Sequence, residues 1–115
     1  MKVTPALTIN ASRLHERLEA LSKIGRLGET GVCRLALSPE NYEGIYLVKG
    51  WMEEIGMQTR VDDFGNLIGR LEGRKEDASI LMLGSHIDSQ PYGGRYDGAI
   101  GVLGALEVVQ SLQEQ

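Results

Sequence analysis

One cysteine, Cys33, occurs in 115 residues, so no internal disulfide can form and no thiolate zinc cluster can be assembled. No histidine lies near Cys33 in the sequence, and the expectation for it is a packed, inert thiol rather than a nucleophile. No window reaches the roughly eighteen apolar residues of a membrane span. The opening MKVTPALTINASRLHE lacks the apolar centre of a secretory signal. The simplest reading of these absences is a cytoplasmic chain with no membrane partner. Charge of one sign is also scarce. The net value of −4 is too mild for an acidic tail, and it argues against a groove for nucleic acid. Neither glycine fingerprint for nucleotides is present, and Gly93-Gly94 is too short to cradle a phosphate. Internal repeats, low-complexity tracts and long charge runs are missing as well.

Glycine is abundant, with 15 residues, about twice average usage, which implies tight turns or close approaches of backbone. The length suits one ordinary domain with a modest core. Asn10 is placed to cap a helix running through about Lys23, with Leu14, Leu18 and Leu21 at helical spacing. Gly25 and Gly28 break it, and ETGVCRLALS reads as a loop. Ser38-Pro39-Glu40 starts a second helix: a capping hydroxyl, a proline in the first turn and an acid favoured by the dipole. Ile45, Val48, Met52 and Ile55 form its apolar stripe, and Gly56 ends it.

MQTRVDDFGNLIGRLEG then reads as a hairpin turning at DDFGN. The continuous apolar run SILMLGS, residues 79–85, predicts a strand covered on both faces. A polar, glycine-rich loop follows, and Ile100, Leu103, Leu106 and Val109 mark a last helix. The order is α/β, with a sheet expected to hold antiparallel and parallel pairs. A doubly covered strand needs neighbours on both sides. The hairpin can supply one, little remains to supply the other, and the sheet reads as incomplete.

Chemistry in open α/β sheets gathers just beyond the carboxyl ends of strands, and GSHIDSQPYGGRYDG stands there. The imidazole of His86 is a ligand type for zinc and related metals, and carboxylates bind them too. Asp88, two residues on, can point the same way in extended chain and accept the second ring N–H. Asp97 precedes Gly98 and the last helix, where a carboxylate could bridge two cations. Each residue has a plainer reading. His86 could be a hydrogen-bonded histidine at a strand end, Asp88-Ser89 turn chemistry before Pro91, and Asp97 a helix cap. Glu53-Glu54 and His15 read as solvated helix faces.

The stretch GSHIDSQPYGGRYDGAIGVLGALEVV resembles the metal-site segment of N-carbamoyl-L-amino acid hydrolases, with their β-ureidopropionase, allantoate amidohydrolase and ureidoglycolate hydrolase relatives. These belong with two-metal hydrolases of the aminoacylase and carboxypeptidase type. GVCRLALSPE, WMEEIGM and RVDDFGNLIGRLEG are similar to the same family, so the likeness runs from about Leu14 to Leu112. The short interval from His86 to Asp97 resembles this branch and not the related peptidases. The resemblance implies the N-terminal portion of a zinc-exopeptidase-like three-layer α/β fold, with a mixed, incomplete sheet. It implies that His86 ligates one metal, that Asp97 bridges both, and that Asp88 orients His86 as part of the catalytic machinery. A strained cis peptide is implied at Asp97–Gly98.

The implied cofactors are two divalent ions, whether zinc, manganese, cobalt or nickel. The implied reaction is hydrolysis of the carbamoyl C–N bond of a small N-carbamoyl or ureido amino acid, with a glutamate as general base. The family's Glu-Glu pair after the bridging aspartate, its later histidines and its dimerisation domain have no counterpart in the 18 residues that follow Asp97. Glu53-Glu54 precedes His86 and cannot replace that pair. The expectation is therefore a portion that binds metal weakly and does not turn over alone. Its expected partner is the C-terminal remainder, within a homodimeric parent. The alternatives are a portion of a two-metal peptidase or aminoacylase, and a non-catalytic module that binds a partner through its open sheet edge.

Overall fold

The computed structural model describes residues 6–115; the first five residues of the opening segment lie outside it. Eight elements follow one another: α1 (Ala11–Ser22), β1 (Arg26–Leu27), β2 (Gly31–Val32), α2 (Pro39–Glu54), β3 (Gln58–Val61), β4 (Leu67–Arg70), β5 (Gly93–Gly94) and α3 (Ala99–Gln113).

The helix boundaries follow from side-chain chemistry. The Asn10 amide oxygen accepts from the Arg13 N–H at 3.0 Å and opens α1. Ser38 accepts from Asn41 N–H at 3.1 Å and opens α2, whose first residue is Pro39. At the other end of α2, Gly56 N–H donates to the Glu53 carbonyl at 2.9 Å and Met57 N–H to that of Met52 at 3.0 Å. This paired closure places Gly56 at φ +88°, where glycine carries no side-chain penalty.

The hairpin forms as expected, with Gln58 opposite Arg70 and Val61 opposite Leu67. Asp62 organises its turn by accepting from the backbone N–H groups of Phe64 and Asn66 at 3.0 and 2.8 Å. A second, small sheet has the order β1-β2-β5 and is antiparallel throughout. Its middle strand, β2, lies inside ETGVCRLALS, where a loop was expected, because Gly31-Val32 finds a partner in Gly93-Gly94 from far along the chain.

One expectation is corrected. Residues 79–85 run between the hairpin and the site without joining a ladder among the described residues, and they are not covered on both faces. Ile80, Leu81 and Met82 are 74%, 85% and 83% exposed. The hairpin pairs only with itself, so no second strand lies alongside to bury this run. The run has the composition of a core strand, and among the described residues no strand pairs with it.

The core lies elsewhere. Leu18 and Leu21 of α1, Ile45 and Val48 of α2, and Ala99, Leu103 and Leu106 of α3 close around Ile87. Ile100, expected on the buried stripe of α3, is half exposed. The helix turns Ala99 and Glu107 inward instead. The α1–α3 seam is polar at its centre. The fully buried Glu107 carboxylate accepts from Arg13 at 2.7 and 2.8 Å, from the Asn10 N–H at 2.8 Å and from the Ser111 hydroxyl at 2.9 Å. The Arg13 guanidinium, more than any other contact, pulls the Glu107 pKa down to about 2. The radius of gyration, 15.5 Å, exceeds the roughly 13 Å of a compact domain of this length, as expected for an open α/β layer.

Candidate metal centre

His86, Asp88 and Asp97 come to one corner of the fold, where the extended run 79–85 ends and α3 begins. The backbone of the intervening loop is tied down at several points. Ser89 N–H donates to the Arg34 carbonyl at 2.7 Å, and Arg34 N–H donates back to the Ser89 hydroxyl at 2.8 Å. β5 pairs Gly93-Gly94 to β2, and Arg95 reaches Glu19 of α1 at 3.3 Å. A loop so anchored returns Asp97 to a fixed place.

At that place Gly98 has φ +70° and ψ −45°, and Ala99 N–H donates to the Asp97 carbonyl at 2.8 Å. This is a γ-turn with positive φ, a rare and strained conformation for residues bearing a side chain. The sharp corner after Asp97 thus comes from the dihedral freedom of glycine. The cis peptide expected at Asp97–Gly98 is absent, and the bond is trans.

Gly98 also has no room for a side chain. A Cβ there would sit on the His86 carbonyl oxygen, 2.5 Å from ring atom Cε1 and 2.6 Å from Nδ1. One turn on, a Cβ at Gly101 would lie 2.7 Å from Ser85 Cβ. The first turn of α3 is therefore bare backbone pressed against residues 85 and 86, and this contact sets the spacing between the imidazole and the Asp97 corner.

The ring of His86 is held by its neighbour two residues on. Nδ1 lies 3.0 Å from the Asp88 carbonyl oxygen and 3.3 Å from the Asp88 carboxylate. With Nδ1–H donating to Asp88, the lone pair resides on Nε2, the form a metal ligand requires. Both side chains are about half exposed. They line an open cleft of about 170 Å³ with Asn41 and Met52 of α2, Asn66 of the hairpin turn and Val102 of α3. Asp97 is exposed and is not among the lining residues of this cleft. Among the described residues no three His, Cys, Asp or Glu side chains converge tightly enough to hold an ion. The donor types suit a divalent cation, and their number falls below the three protein ligands of a typical catalytic zinc site.

The other acidic pair and the second histidine stay apart from this corner. Glu53 and Glu54 are exposed on α2, where Glu53 is engaged by Lys49 and by the Thr59 hydroxyl at 2.6 Å. His15 is exposed on α1, and Cys33 is a free, half-buried thiol.

Sequence reasoning missed Arg34. It is 1% exposed, and its guanidinium bonds only to carbonyls: Nε to Ile87 at 2.7 Å, and Nη1 to Leu21 at 3.1 Å and Ile24 at 2.8 Å. Burial pushes its pKa down, and the Asp88 charge opposes that shift. Leu21 and Ile24 lie at the carboxyl end of α1, where the helix dipole favours a cation. No period or motif in RLALS marks this arginine as internal; only its place in a largely apolar stretch hints at it.

Comparison with known proteins follows this geometry. Residues 66–115 match peptidase family M28. The chain is 47% identical over 108 residues to an N-carbamoyl-L-amino-acid amidohydrolase of Pseudomonas sp. (strain NS671), covering 94% of this chain and 26% of that protein. It is 40% identical over 97 residues to an allantoate amidohydrolase of Bacillus subtilis (strain 168), covering 84% and 24% respectively. A crystal structure of an amidase of the hydantoinase/carbamoylase family from Burkholderia vietnamiensis superposes with a TM-score of 0.91 at 42% identity, over 97% of this chain and 27% of that one. The chain spans about a quarter of the length of these relatives, and over that span it is similar to N-carbamoyl-L-amino acid amidohydrolases and to an allantoate amidohydrolase.

Proposed function

We propose that this chain supplies the N-terminal portion of a metal-dependent amidohydrolase that cleaves the carbamoyl C–N bond of N-carbamoyl-L-amino acids or related ureido acids. The observation that carries the reading is the His86 ring, whose Nδ1 is engaged by Asp88 while the Asp97–Gly98 corner packs against the same ring. In this reading His86 Nε2 and the Asp97 carboxylate are the groups that would hold divalent ions. Asp88 keeps the imidazole in its ligating tautomer. When bound, the ions supply Lewis acidity toward the carbamoyl oxygen and toward water. The chain's own residues position: Asp88 holds the Nδ1 proton, and the bare first turn of α3 keeps the Asp97 corner against His86. Zinc, manganese, cobalt and nickel all accept this mixed imidazole–carboxylate set.

Two donors are too few for turnover, so the complete site takes its general base and remaining ligands from the rest of the fold, and substrate binds only there. The relatives' names favour the carbamoyl and ureido class. The match to peptidase family M28 favours a second reading, a portion of a two-metal peptidase, which the same assay separates. The chain is incubated with manganese or cobalt and N-carbamoyl-L-amino acids, alone and with the C-terminal three-quarters of the Pseudomonas relative supplied in trans. Release of free amino acid only from the mixture supports the proposal. Turnover by the 115-residue chain alone, or a mixture that cleaves dipeptides and not carbamoyl amino acids, overturns it.

A further inference from the structure

The family reading leaves Arg34 without a task, yet this buried cation forms three bonds to backbone carbonyls on two separate segments. Its Nε takes the carbonyl of Ile87, the residue between His86 and Asp88. Fixing that carbonyl orients the Ile87–Asp88 peptide, and the Ser89 N–H, which donates to the Arg34 carbonyl at 2.7 Å, orients the next peptide and its carbonyl. That next carbonyl, of Asp88, is the atom 3.0 Å from His86 Nδ1. The arginine backbone adds two ties to Ser89, so residues on both sides of Asp88 are held from one position. Nη1 meanwhile anchors the guanidinium to the Leu21 and Ile24 carbonyls at the end of α1.

We propose that Arg34 is a positioning residue that sets the tautomer and orientation of the His86 imidazole by holding the Ile87–Asp88 peptide against the end of α1. The functional weight of this rests on His86 being a metal ligand; the positioning itself does not. A planar fork is needed because one side chain must donate in two directions at once. A lysine ammonium keeps the charge and loses that geometry.

The test uses Arg34→Lys and the wild-type chain, with ¹⁵N-labelled histidine and long-range ¹H–¹⁵N spectra recorded at about pH 8.5, above the ordinary imidazole range. The chain has two histidines, and exposed His15 serves as the internal reference for a ring without such a clamp. In the wild type His86 should show the Nδ1–H form predominantly, and His15 the mixture of a free imidazole. In Arg34→Lys the His86 pattern should collapse toward that of His15, while near-ultraviolet circular dichroism and the His15 signals stay unchanged. Zinc chloride added to both proteins provides a second arm. It should shift His86 in preference to His15 in the wild type, with an affinity reduced roughly 10- to 100-fold in the variant. A folded Arg34→Lys chain with the wild-type His86 tautomer overturns the proposal. Loss of the fold in Arg34→Lys also overturns it, by making Arg34 a framework residue. If the tautomer contrast appears and zinc leaves wild-type His86 unshifted, the positioning role stands and the metal reading of the site fails.

Discussion

Replacing Gly98 by alanine loads two penalties onto one atom. The first is conformational: at φ +70° and ψ −45° the residue occupies a γ-turn that side chains rarely adopt, and holding an L-residue in such a region costs on the order of 1–3 kcal/mol. The second is steric. The new methyl would overlap the His86 carbonyl and lie 2.5 and 2.6 Å from Cε1 and Nδ1 of its ring. Backbone cannot swing aside as a flexible side chain can, so an overpacking cost of about 1–3 kcal/mol adds to the first. The sum, about 2–6 kcal/mol, is a large share of the stability of a small domain. Thermal unfolding followed by circular dichroism should show Gly98→Ala melting on the order of 10 °C below the wild type, with displaced His86 resonances. Gly104→Ala is the internal comparison. It lies in the same helix with nothing within 4 Å of its would-be Cβ, so alanine should stabilise by about 0.5–1 kcal/mol. If Gly98→Ala melts with the wild type and leaves His86 unmoved, the close packing of the Asp97 corner on His86 is refuted.

Three further outcomes follow from the same structure. Glu107 has its pKa lowered from 4.5 to about 2, so its stabilisation is complete above the ordinary carboxylate range and is lost as pH falls from there toward 2. At about 1.4 kcal/mol per unit this is on the order of 3 kcal/mol. In urea unfolding, the wild-type advantage over Glu107→Gln should therefore shrink between pH 5 and pH 2, and a gap constant with pH would contradict it. Ser38→Ala removes the cap that receives the Asn41 N–H and should cost about 1 kcal/mol in the same assay. Leu81→Lys falls on an 85% exposed side chain, so it should change the stability of this chain by less than about 0.5 kcal/mol. It should nonetheless abolish activity on mixing with the complementing segment, because that run is built to be covered; full activity would show that it is not.

What the sequence disclosed was local. Asn10, Ser38-Pro39 and Gly56 announced the helix ends, because each cap is formed by residues within a few positions of one another. DDFGN announced its turn for the same reason. The site was legible as far as His86 and Asp88, two residues apart in extended chain. Its depth was not. Arg34 meets Ile87 across 53 positions and Arg13 meets Glu107 across 94, and neither partnership leaves a period or motif in the sequence. A buried Glu107 on an otherwise apolar helix face reads as an exposed residue until Arg13 arrives from α1. The run 79–85 misled in the opposite direction, since its apolar composition predicts a covered strand while Ile80, Leu81 and Met82 are exposed. A cis peptide was implied at Asp97–Gly98; the bond is trans, and a γ-turn at Gly98 makes the corner instead.

Metal content and turnover measured on one sample test most directly whether His86 and Asp97 are metal ligands of an amidohydrolase site completed by the rest of the fold. The chain is assembled with the complementing segment of the Pseudomonas relative, dialysed and analysed for bound manganese, cobalt or zinc alongside hydrolysis of an N-carbamoyl-L-amino acid. Two metal ions per assembled unit and measurable turnover are expected for the wild type. For Asp97→Asn and His86→Ala the expectation is fewer ions, with turnover lost. Full metal content and undiminished hydrolysis in either variant would contradict it.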